Sequence, residues 1–310
     1  MPDVIIIPML LFESKYLMPK FHGEQFYSIN DWTRCWNRET DFAKVGIASW
    51  QAWASRNNVI LNIATELPSP DACGYTESQI EELKKFPPTI SRWLLPLAAR
   101  RKYGLDSYIA MIDADTLVSP DAPSIFKQAH EGVILAQDQS GWNQWKEGSL
   151  LAFGSMFPGF NFDKSKYFNA GVIVLENDKL PTAFLNFTLQ YSKKFLSLID
   201  GTVGTDQTVL NFILQALVSN NELTVAFLDS KWNAKIADLL LEVEKLSSQH
   251  SILSVVSELV QQNYISHFTV VKLLMPAVWQ FLKRGGSRPL TSVEDVLRSA
   301  GALQGVAYAR

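Results

Sequence analysis

Short apolar runs alternate with helical segments along the chain, and this alternation constrains the fold more than any other feature. The first run, Val4 to Ile7, is continuous and β-branched, and a second run follows at Val59 to Ile63. Between them, Val45 to Ser55 carries Trp50 and Trp53 at helical spacing. Continuous apolar strands that alternate with helices are typical of parallel sheets buried on both faces. The sequence therefore predicts an α/β fold with a Rossmann-like, mostly parallel central sheet flanked by helices.

The alternation continues to about residue 228. Further strands are predicted over Ser107–Ile112, Val133–Ala136, Gly171–Glu176 and Leu223–Leu228. Further helices are predicted over Thr76–Lys85, Ser91–Lys102, Pro181–Phe195 and Asp206–Val218. Two polar and aromatic stretches without a clear period, residues 13–44 and 138–166, are predicted to be irregular.

The character of the sequence changes after residue 233. Residues 234–262 carry leucines at helical spacing, and Tyr264 to Phe268 predicts a short extended segment. Met275–Lys283 and Thr291–Ala302 are predicted as helices. We therefore expect a main domain over residues 1–272 and a C-terminal helical extension over residues 273–310.

Composition excludes several function classes. The chain has 310 residues, is 47% hydrophobic and has a formal net charge of -3, which argues against a dedicated nucleic-acid-binding protein. No apolar stretch approaches the roughly 20 residues that cross a membrane, and the first residues do not resemble a secretory signal. The two cysteines, Cys35 and Cys73, lack partners at metal-ligand spacing and are expected to be ordinary thiols. We expect a cytoplasmic protein.

The strongest local motif is Asp113-Ala114-Asp115, directly after the apolar run that ends at Ile112. In open α/β sheets, ligands bind outside the carboxyl ends of the strands. Two carboxylates so close together repel each other unless a cation neutralises them, and Mg²⁺ or Mn²⁺ accepts such oxygen ligands together with substrate phosphates. The motif therefore predicts a divalent metal at the end of this strand.

An Asp-x-Asp pair does not by itself select a reaction. The same pattern opens the haloacid-dehalogenase-like phosphatases, in which the first Asp is a nucleophile and the second a general acid. Those enzymes need a further acidic pair at the end of a later strand, and the sequence offers none there. A non-catalytic protein that binds a sugar nucleotide is a third alternative.

Later motifs favour one of these classes. They are Phe168-Asn169-Ala170-Gly171, Asp206-Gln207-Thr208-Val209-Leu210-Asn211, Lys231-Trp232-Asn233 and His267-Phe268-Thr269. Their order after the Asp-x-Asp motif resembles the family-8 glycosyltransferases, which include bacterial galactosyl- and glucosyltransferases and glycogenin. The resemblance covers roughly residues 90–272 and implies a GT-A fold. It also implies transfer of a hexose from a nucleotide-sugar, most simply a UDP-hexose, to a glycan or other hydroxyl acceptor.

The resemblance also implies roles for individual residues. Asp113, Asp115 and His267 are expected to bind Mn²⁺ or Mg²⁺. The sugar is expected to meet the step from Asn169 through Ala170 to Gly171, with Asp206 and Gln207 beside the anomeric carbon. The remaining expected contacts of the donor are Arg92, Ala114 and Lys272. The segment around Lys272 departs from the family pattern, because a glycine is missing and the lysine stands one residue early.

The resemblance implies retention of the anomeric configuration. No strong nucleophile is evident, so front-face attack is favoured, and a covalent intermediate on Asp206 is the alternative. The aromatic residues of the 138–166 stretch either line the acceptor site or pack within the protein. They are Trp142, Trp145, Phe153, Phe157 and Phe160.

Overall fold

The computed structural model of the protein describes the chain in several stretches. They are residues 2–10, 29–128, 133–138, 144–200, 206–236 and 252–268, together with Met275 and Val278. By its contacts the chain divides into two compact units. Unit 1 comprises residues 1–35, 58–113 and 124–228, and unit 2 comprises residues 36–57, 114–123 and 229–310.

Unit 1 is built on a six-stranded sheet with the order β2-β1-β3-β6-β5-β7. Five strands run in one direction, and only β6 is antiparallel to its neighbours. The strands are β1 (Val4–Pro8), β2 (Ile60–Ala64), β3 (Ile109–Ile112), β5 (Val133–Gln137), β6 (Phe168–Leu175) and β7 (Val225–Leu228). The prediction of an α/β fold with a mostly parallel central sheet is confirmed.

Helices follow the strands of unit 1. They are α2 (Pro70–Cys73), α3 (Glu77–Leu83), α4 (Pro88–Ser91), α5 (Leu94–Tyr103), α6 (Gln144–Gly154), α7 (Lys179–Gln190), α8 (Ser192–Asp200) and α9 (Gln207–Ser219). One apolar core joins side chains of these helices, such as Leu94 and Leu210, to strand residues such as Val4 and Ile173. Ile5 and Ile7 point the other way and are also fully buried, so β1 is buried on both faces, as its composition predicts.

Unit 2 contains a separate three-stranded sheet with the order β4-β9-β8. Its strands are β4 (Thr116–Val118), β8 (Ala234–Lys235) and β9 (Ile265–His267). The second half of helix α1 (Ile29–Asn57) contacts this sheet. The Trp50 indole N–H donates a hydrogen bond to Thr116 Oγ1 in β4 at 2.9 Å. Helix α10 (Ile252–Gln262) leads into β9.

Several sequence predictions of local structure are wrong. Helix α1 begins at Ile29, within a stretch that was predicted to be irregular. The predicted loop 138–166 contains α6, a helix of 11 residues. The predicted helix Pro181–Phe195 is divided in two at Tyr191, and the predicted helix Ser91–Lys102 starts three residues later than expected, at Leu94. Within residues 234–262, which were predicted as mostly helical, Ala234–Lys235 forms a strand.

The predicted helices after residue 272 and the boundary at 272/273 fall almost entirely outside the described residues, so both stay predictions. Among the described residues, Cys73 is buried with a free thiol. None of the helices in the described stretches combines the length and the apolar character that a membrane crossing requires.

Candidate active site

The Asp-x-Asp motif and the start of β6 lie side by side because β6 runs antiparallel to β3. Their pairing sets Ile112 opposite Val172, so that the first residues of β6 reach the carboxyl end of β3. The Asp113 N–H donates a hydrogen bond to the Gly171 carbonyl at 2.8 Å. The Phe-Asn-Ala-Gly motif is therefore next to Asp113.

Arg92 connects Asp113 with the start of α9. Its Nη1 donates to Asp113 Oδ1, and its Nη2 donates to Asp206 Oδ2 at 2.9 Å and to the Ala170 carbonyl at 3.3 Å. Burial opposes the charge of the guanidinium, but the two carboxylates outweigh that effect and raise the pKa of Arg92. Arg92 lies in the break between α4 and α5, which aims its side chain at this edge of the sheet. It is a buried, permanently charged cation between two acids.

Asp206 stands at the N-cap of α9, yet its side chain does not cap the helix. Instead, its Oδ2 accepts hydrogen bonds from Arg92 and, at 3.1 Å, from the Trp93 indole N–H. The Trp93 ring is fully buried and packs on Phe184 with ring centroids 5.7 Å apart. The sequence analysis missed Trp93 because a tryptophan within a helical pattern is usually only a core residue.

Gln207 is hydrogen-bonded to the Asn-Ala-Gly step of β6. Its Oε1 accepts from Asn169 Nδ2 at 3.0 Å and from the Ala170 N–H at 3.2 Å. Asn169 Oδ1 in turn accepts from the Gly171 N–H at 2.9 Å. These four residues form one polar group beside Arg92 and Asp206 in unit 1.

Within unit 2, Asp115 and His267 are brought together by the pairing of β4 with β9, which sets Thr116 opposite His267. His267 Nε2 lies 3.1 Å from Asp115 Oδ1, and His267 Nδ1 lies 2.9 Å from Asn233 Oδ1. The Phe268 N–H also donates to the Asp115 carbonyl at 2.9 Å, which fixes the backbone of the motif. Both side chains are almost fully buried.

The tautomer of His267 follows from its partners. An amide oxygen only accepts hydrogen bonds, so Nδ1 carries the hydrogen that reaches Asn233 Oδ1. In the neutral ring, Nε2 then presents a lone pair to the Asp115 carboxylate. Two facing acceptors need a proton or a metal ion between them. An imidazole whose other N–H is held by an oxygen acceptor is the usual arrangement of a metal-binding histidine.

Asp113, Asp115 and His267 each offer one ligand atom, and the three atoms lie within 4.8 Å of one another. Two carboxylates and one imidazole are suited to a hard divalent ion such as Mn²⁺ or Mg²⁺. Such an ion takes about six ligands, so about three positions remain for other groups. The chemistry of these three side chains therefore fits the divalent metal that the sequence predicts.

The backbone of the motif is packed against Gly46 of α1. A Cβ atom at Gly46 would lie 2.4 Å from the Ala114 carbonyl oxygen and 2.9 Å from the Thr116 carbonyl oxygen. Gly46→Ala is therefore expected to lower the free energy of unfolding by about 1–3 kcal/mol, as overpacking does. Gly154→Ala is the matched control, because its Cβ would meet only Phe212 Cζ at 3.7 Å. Equal melting temperatures for the two variants would contradict the close approach.

The aromatic residues after β5 are mainly packing residues. Phe153 is fully buried and meets Phe195 edge-on, with ring centroids 5.6 Å apart. Phe157 is stacked between Phe187 and Phe212. Of the two alternatives that the sequence leaves open for these residues, packing within the protein is therefore observed for Phe153 and Phe157. Phe160 also packs on Phe212, whereas Trp142 and the Trp145 side chain lie outside the described part of the chain.

Of the site residues named from the sequence, only Lys272 lies outside the described stretches. Ala114 contributes its carbonyl to the contact with Gly46. Asn233 had no assigned role in the sequence analysis, although the Lys-Trp-Asn motif pointed to it. Asp138 and Lys146, which also lie near Gln207, carry no sequence signal of their own.

The chain matches no protein-family model, and no curated protein is similar enough to match. Solved structures are similar to it, and they include the following three. A glycosyltransferase involved in glycosylation of the major capsid of PBCV-1 has 11% identity and a TM-score of 0.45, covering 90% of this chain and 100% of its own. Mouse xyloside xylosyltransferase 1 has 12% identity and a TM-score of 0.41, covering 87% and 98%. An active-site mutant of LgtC has 14% identity and a TM-score of 0.44, covering 97% and 100%.

The first of these structures is described as a glycosyltransferase and the second as a xylosyltransferase, whereas the third is described only by its name. With TM-scores below 0.5, these likenesses do not by themselves establish a function.

Proposed function

We propose that the protein is a metal-dependent glycosyltransferase. It moves a hexose from a nucleotide-sugar, most simply a UDP-hexose, to a glycan or other hydroxyl acceptor with retention of configuration. The observation that carries the proposal is the meeting of three ligand atoms, from Asp113, Asp115 and His267, within 4.8 Å. The order of motifs in the family-8 resemblance supplies the choice of glycosyl transfer over other metal-dependent reactions.

The metal would be held by Asp113, Asp115 and His267. When bound, a divalent cation at this place neutralises the charge that develops on a departing diphosphate. An ion held by these three residues would leave ligand positions for phosphate groups of the donor. Asn233 keeps the His267 ring oriented through the hydrogen bond to Nδ1.

Arg92 and Asp206 orient the donor in this proposal. The Arg92 guanidinium is already charged and desolvated, so it stabilises the leaving group without reorganising. Its ion pair with Asp113 positions one of the proposed metal ligands, and its ion pair with Asp206 positions the carboxylate that is expected beside the sugar. The Arg92 guanidinium therefore keeps the carboxylates of Asp113 and Asp206 in fixed positions relative to each other.

The contacts of Asp206 favour front-face attack. Its Oδ2 is occupied by Arg92 and Trp93, and its side chain is only 3% exposed. A carboxylate held in this way is suited to stabilising positive charge at the anomeric carbon and poorly suited to moving toward that carbon as a nucleophile. The departing phosphate then accepts the proton of the acceptor hydroxyl, while Asn169 and Gln207 bind the sugar.

The test is an assay of nucleotide release from a panel of UDP-, GDP- and ADP-sugars, with Mn²⁺, with Mg²⁺ and after treatment with a chelator. The proposal expects slow hydrolysis of at least one nucleotide-sugar, dependent on the metal and faster with an acceptor. A phosphatase would instead release inorganic phosphate from simple phosphate esters. A binding protein would show donor affinity by calorimetry without turnover. Either of these results would overturn the proposal.

His267→Ala is expected to weaken Mn²⁺ binding in the presence of UDP by at least about tenfold, the low end of the losses caused by disturbing a metal site. Calorimetric titration of Mn²⁺ into the variant saturated with UDP measures the change. The melting temperature without metal provides the control for folding. Unchanged Mn²⁺ affinity in a folded variant would exclude His267 from the metal shell.

A further inference from the structure

A buried ion pair lies beside Gln207 and has no part in the reaction described so far. Lys146 Nζ is 3.0 Å from Asp138 Oδ1, and the two side chains are only 4% and 1% exposed. Asp138 follows β5 directly, and Lys146 lies in the first turns of α6. Removing two charges from water costs more free energy than their attraction usually returns. Such a pair therefore contributes little to stability and invites a functional explanation.

The ion pair is connected to Gln207 through Asp138. Gln207 Nε2 donates to Asp138 Oδ2 at 3.3 Å, while Gln207 Oε1 accepts from the Ala170 N–H and from Asn169 Nδ2. A backbone N–H only donates, so it must face the amide oxygen. An ionised carboxylate only accepts, so it must face the amide nitrogen. Asp138 and Ala170 together therefore select one of the two orientations of the Gln207 amide.

Lys146 is itself held in a defined place. Its ammonium group lies over the Tyr167 ring, 5.5 Å from the ring centroid, and the Tyr167 carbonyl accepts from the Asp138 N–H at 3.0 Å. The Tyr167 hydroxyl and the Ser149 hydroxyl both lie within hydrogen-bond distance of Thr208 Oγ1, at 2.8 and 2.6 Å. Thr208 is the next residue after Gln207. Helix α6 is thus connected to the start of α9 in two ways. Ser149 contacts Thr208 directly, and Lys146 contacts Gln207 through Asp138.

Tyr167 keeps this connection intact over the whole physiological pH range. Its burial, with the charges of Asp138 and Asp206 nearby, raises the pKa of Tyr167 to about 12. The hydroxyl therefore stays protonated and hydrogen-bonded near neutral pH, and the ring keeps its place under Lys146.

We propose that Lys146 is a positioning residue for glycosyl transfer: by pairing with Asp138 it keeps this carboxylate an acceptor for Gln207 Nε2 and so fixes the Gln207 amide oxygen toward Asn169 and Ala170. This inference rests on the proposed function of Gln207 at the sugar. Without Lys146, the buried Asp138 takes up a proton more readily, because the ammonium group that compensates its charge has been removed. A protonated carboxyl group also donates, and the Gln207 amide then loses its fixed orientation.

A double-mutant cycle tests the proposal. Lys146→Met is expected to lower kcat at least about tenfold while changing the donor KM by less than about threefold, since the lost orientation is felt mainly in the transition state. Adding Asp138→Asn is expected to bring kcat back to within about threefold of the wild type. The amide introduced by Asp138→Asn offers an oxygen to Gln207 without leaving a buried charge unpaired. A double variant no better than Lys146→Met would overturn the proposal.

Lys164→Met is the matched control. Lys164 Nζ lies 2.7 Å from the carboxylate of Glu147, the residue that follows Lys146 in α6, but these two side chains are 47% and 40% exposed. Exposed ion pairs contribute little to the stability of a protein. We expect Lys164→Met to keep wild-type kcat and melting temperature. A loss of kcat equal to that of Lys146→Met would mean that any change at α6 disturbs the enzyme and would overturn the proposal.

A second readout does not depend on turnover. In protein labelled with ¹⁵N at the glutamine side-chain amides, the Gln207 signal is assigned by its absence in Gln207→Met. We expect this signal to shift in Lys146→Met, to return toward its wild-type position in the double variant and to stay unchanged in Lys164→Met. An unchanged signal in Lys146→Met overturns the inference. If Lys146→Met does not fold, the double variant decides. A kcat more than about threefold below that of the wild type, or a Gln207 signal away from its wild-type position, then overturns the inference.

The two readouts separate this inference from the proposed function. If the wild-type protein turns over no nucleotide-sugar, the proposed function fails, and the ¹⁵N spectra still decide whether Lys146 orients Gln207. If the wild type is active and Lys146→Met is equally active, only the positioning role of Lys146 fails.

Discussion

Asp115→Ala is expected to lower kcat for glycosyl transfer by roughly 10³-fold or more, because several kcal/mol of charge stabilisation at the leaving group depend on the bound metal. Asp115 is buried, and its carboxylate faces the lone pair of His267 Nε2. In the proposed site, removing Asp115 takes away one metal ligand and the orientation of a second. Nucleotide release at saturating Mn²⁺ measures the loss. Asp113→Ala is expected to cause a loss of the same order.

Asp121→Ala is the matched control for this experiment. Asp121 lies in the turn shortly after β4 and is exposed, so its removal leaves the site untouched. We expect wild-type kcat for Asp121→Ala and an unaltered melting temperature for all three variants within a few degrees. Full activity of Asp115→Ala in chelator-treated buffer would show that the motif binds no catalytic metal.

Arg92→Lys is expected to lower kcat/KM by roughly 10²–10³-fold, the scale of losing a preorganised group that stabilises transition-state charge. The guanidinium contacts Asp113, Asp206 and the Ala170 carbonyl together, whereas a lysine ammonium cannot span these partners in the same geometry. We also expect a loss of about 3 kcal/mol in the free energy of unfolding, because a buried carboxylate loses its partner. Steady-state kinetics and chemical unfolding measure the two effects.

Arg100→Lys separates the two effects of the Arg92 variant. The Arg100 guanidinium is equally buried and binds Asp178 and the Leu105 and Leu175 carbonyls, away from the residues of the site. We expect a comparable loss of stability with nearly unchanged kcat/KM. If Arg92→Lys behaves like Arg100→Lys, Arg92 is only a structural residue.

The apolar strands were the part of the fold that the sequence analysis located best. Runs such as Val4–Ile7 can be satisfied only between two covering layers, so their composition reveals their place in the sheet. The Asp-x-Asp motif was equally readable, since two acids after such a strand have one obvious location. The antiparallel direction of β6 could not be predicted from the sequence, and this direction places Gly171 beside Asp113.

The errors concern segments in which tertiary contacts override local pattern. The 138–166 stretch looked irregular because its aromatic residues follow no helical period, yet Phe153 and Phe157 belong to a core shared with α7, α8 and α9. The break at Arg92 was hidden because Ser91 to Lys102 is otherwise a good helical pattern. Asp138 and Lys146 meet only through the fold, so no spacing in the sequence could reveal their pairing.

In the proposed site, Asp113, Asp115 and His267 bind a divalent ion, and a nucleoside diphosphate completes its ligand shell. Anomalous diffraction from crystals soaked with Mn²⁺ and UDP tests it most directly. We predict one strong manganese peak within ligand distance of all three side chains, about 2.0–2.6 Å from their ligand atoms, with the diphosphate on its open side. A manganese peak elsewhere, or UDP bound at this edge of the sheet with no metal beside it, would contradict the claim.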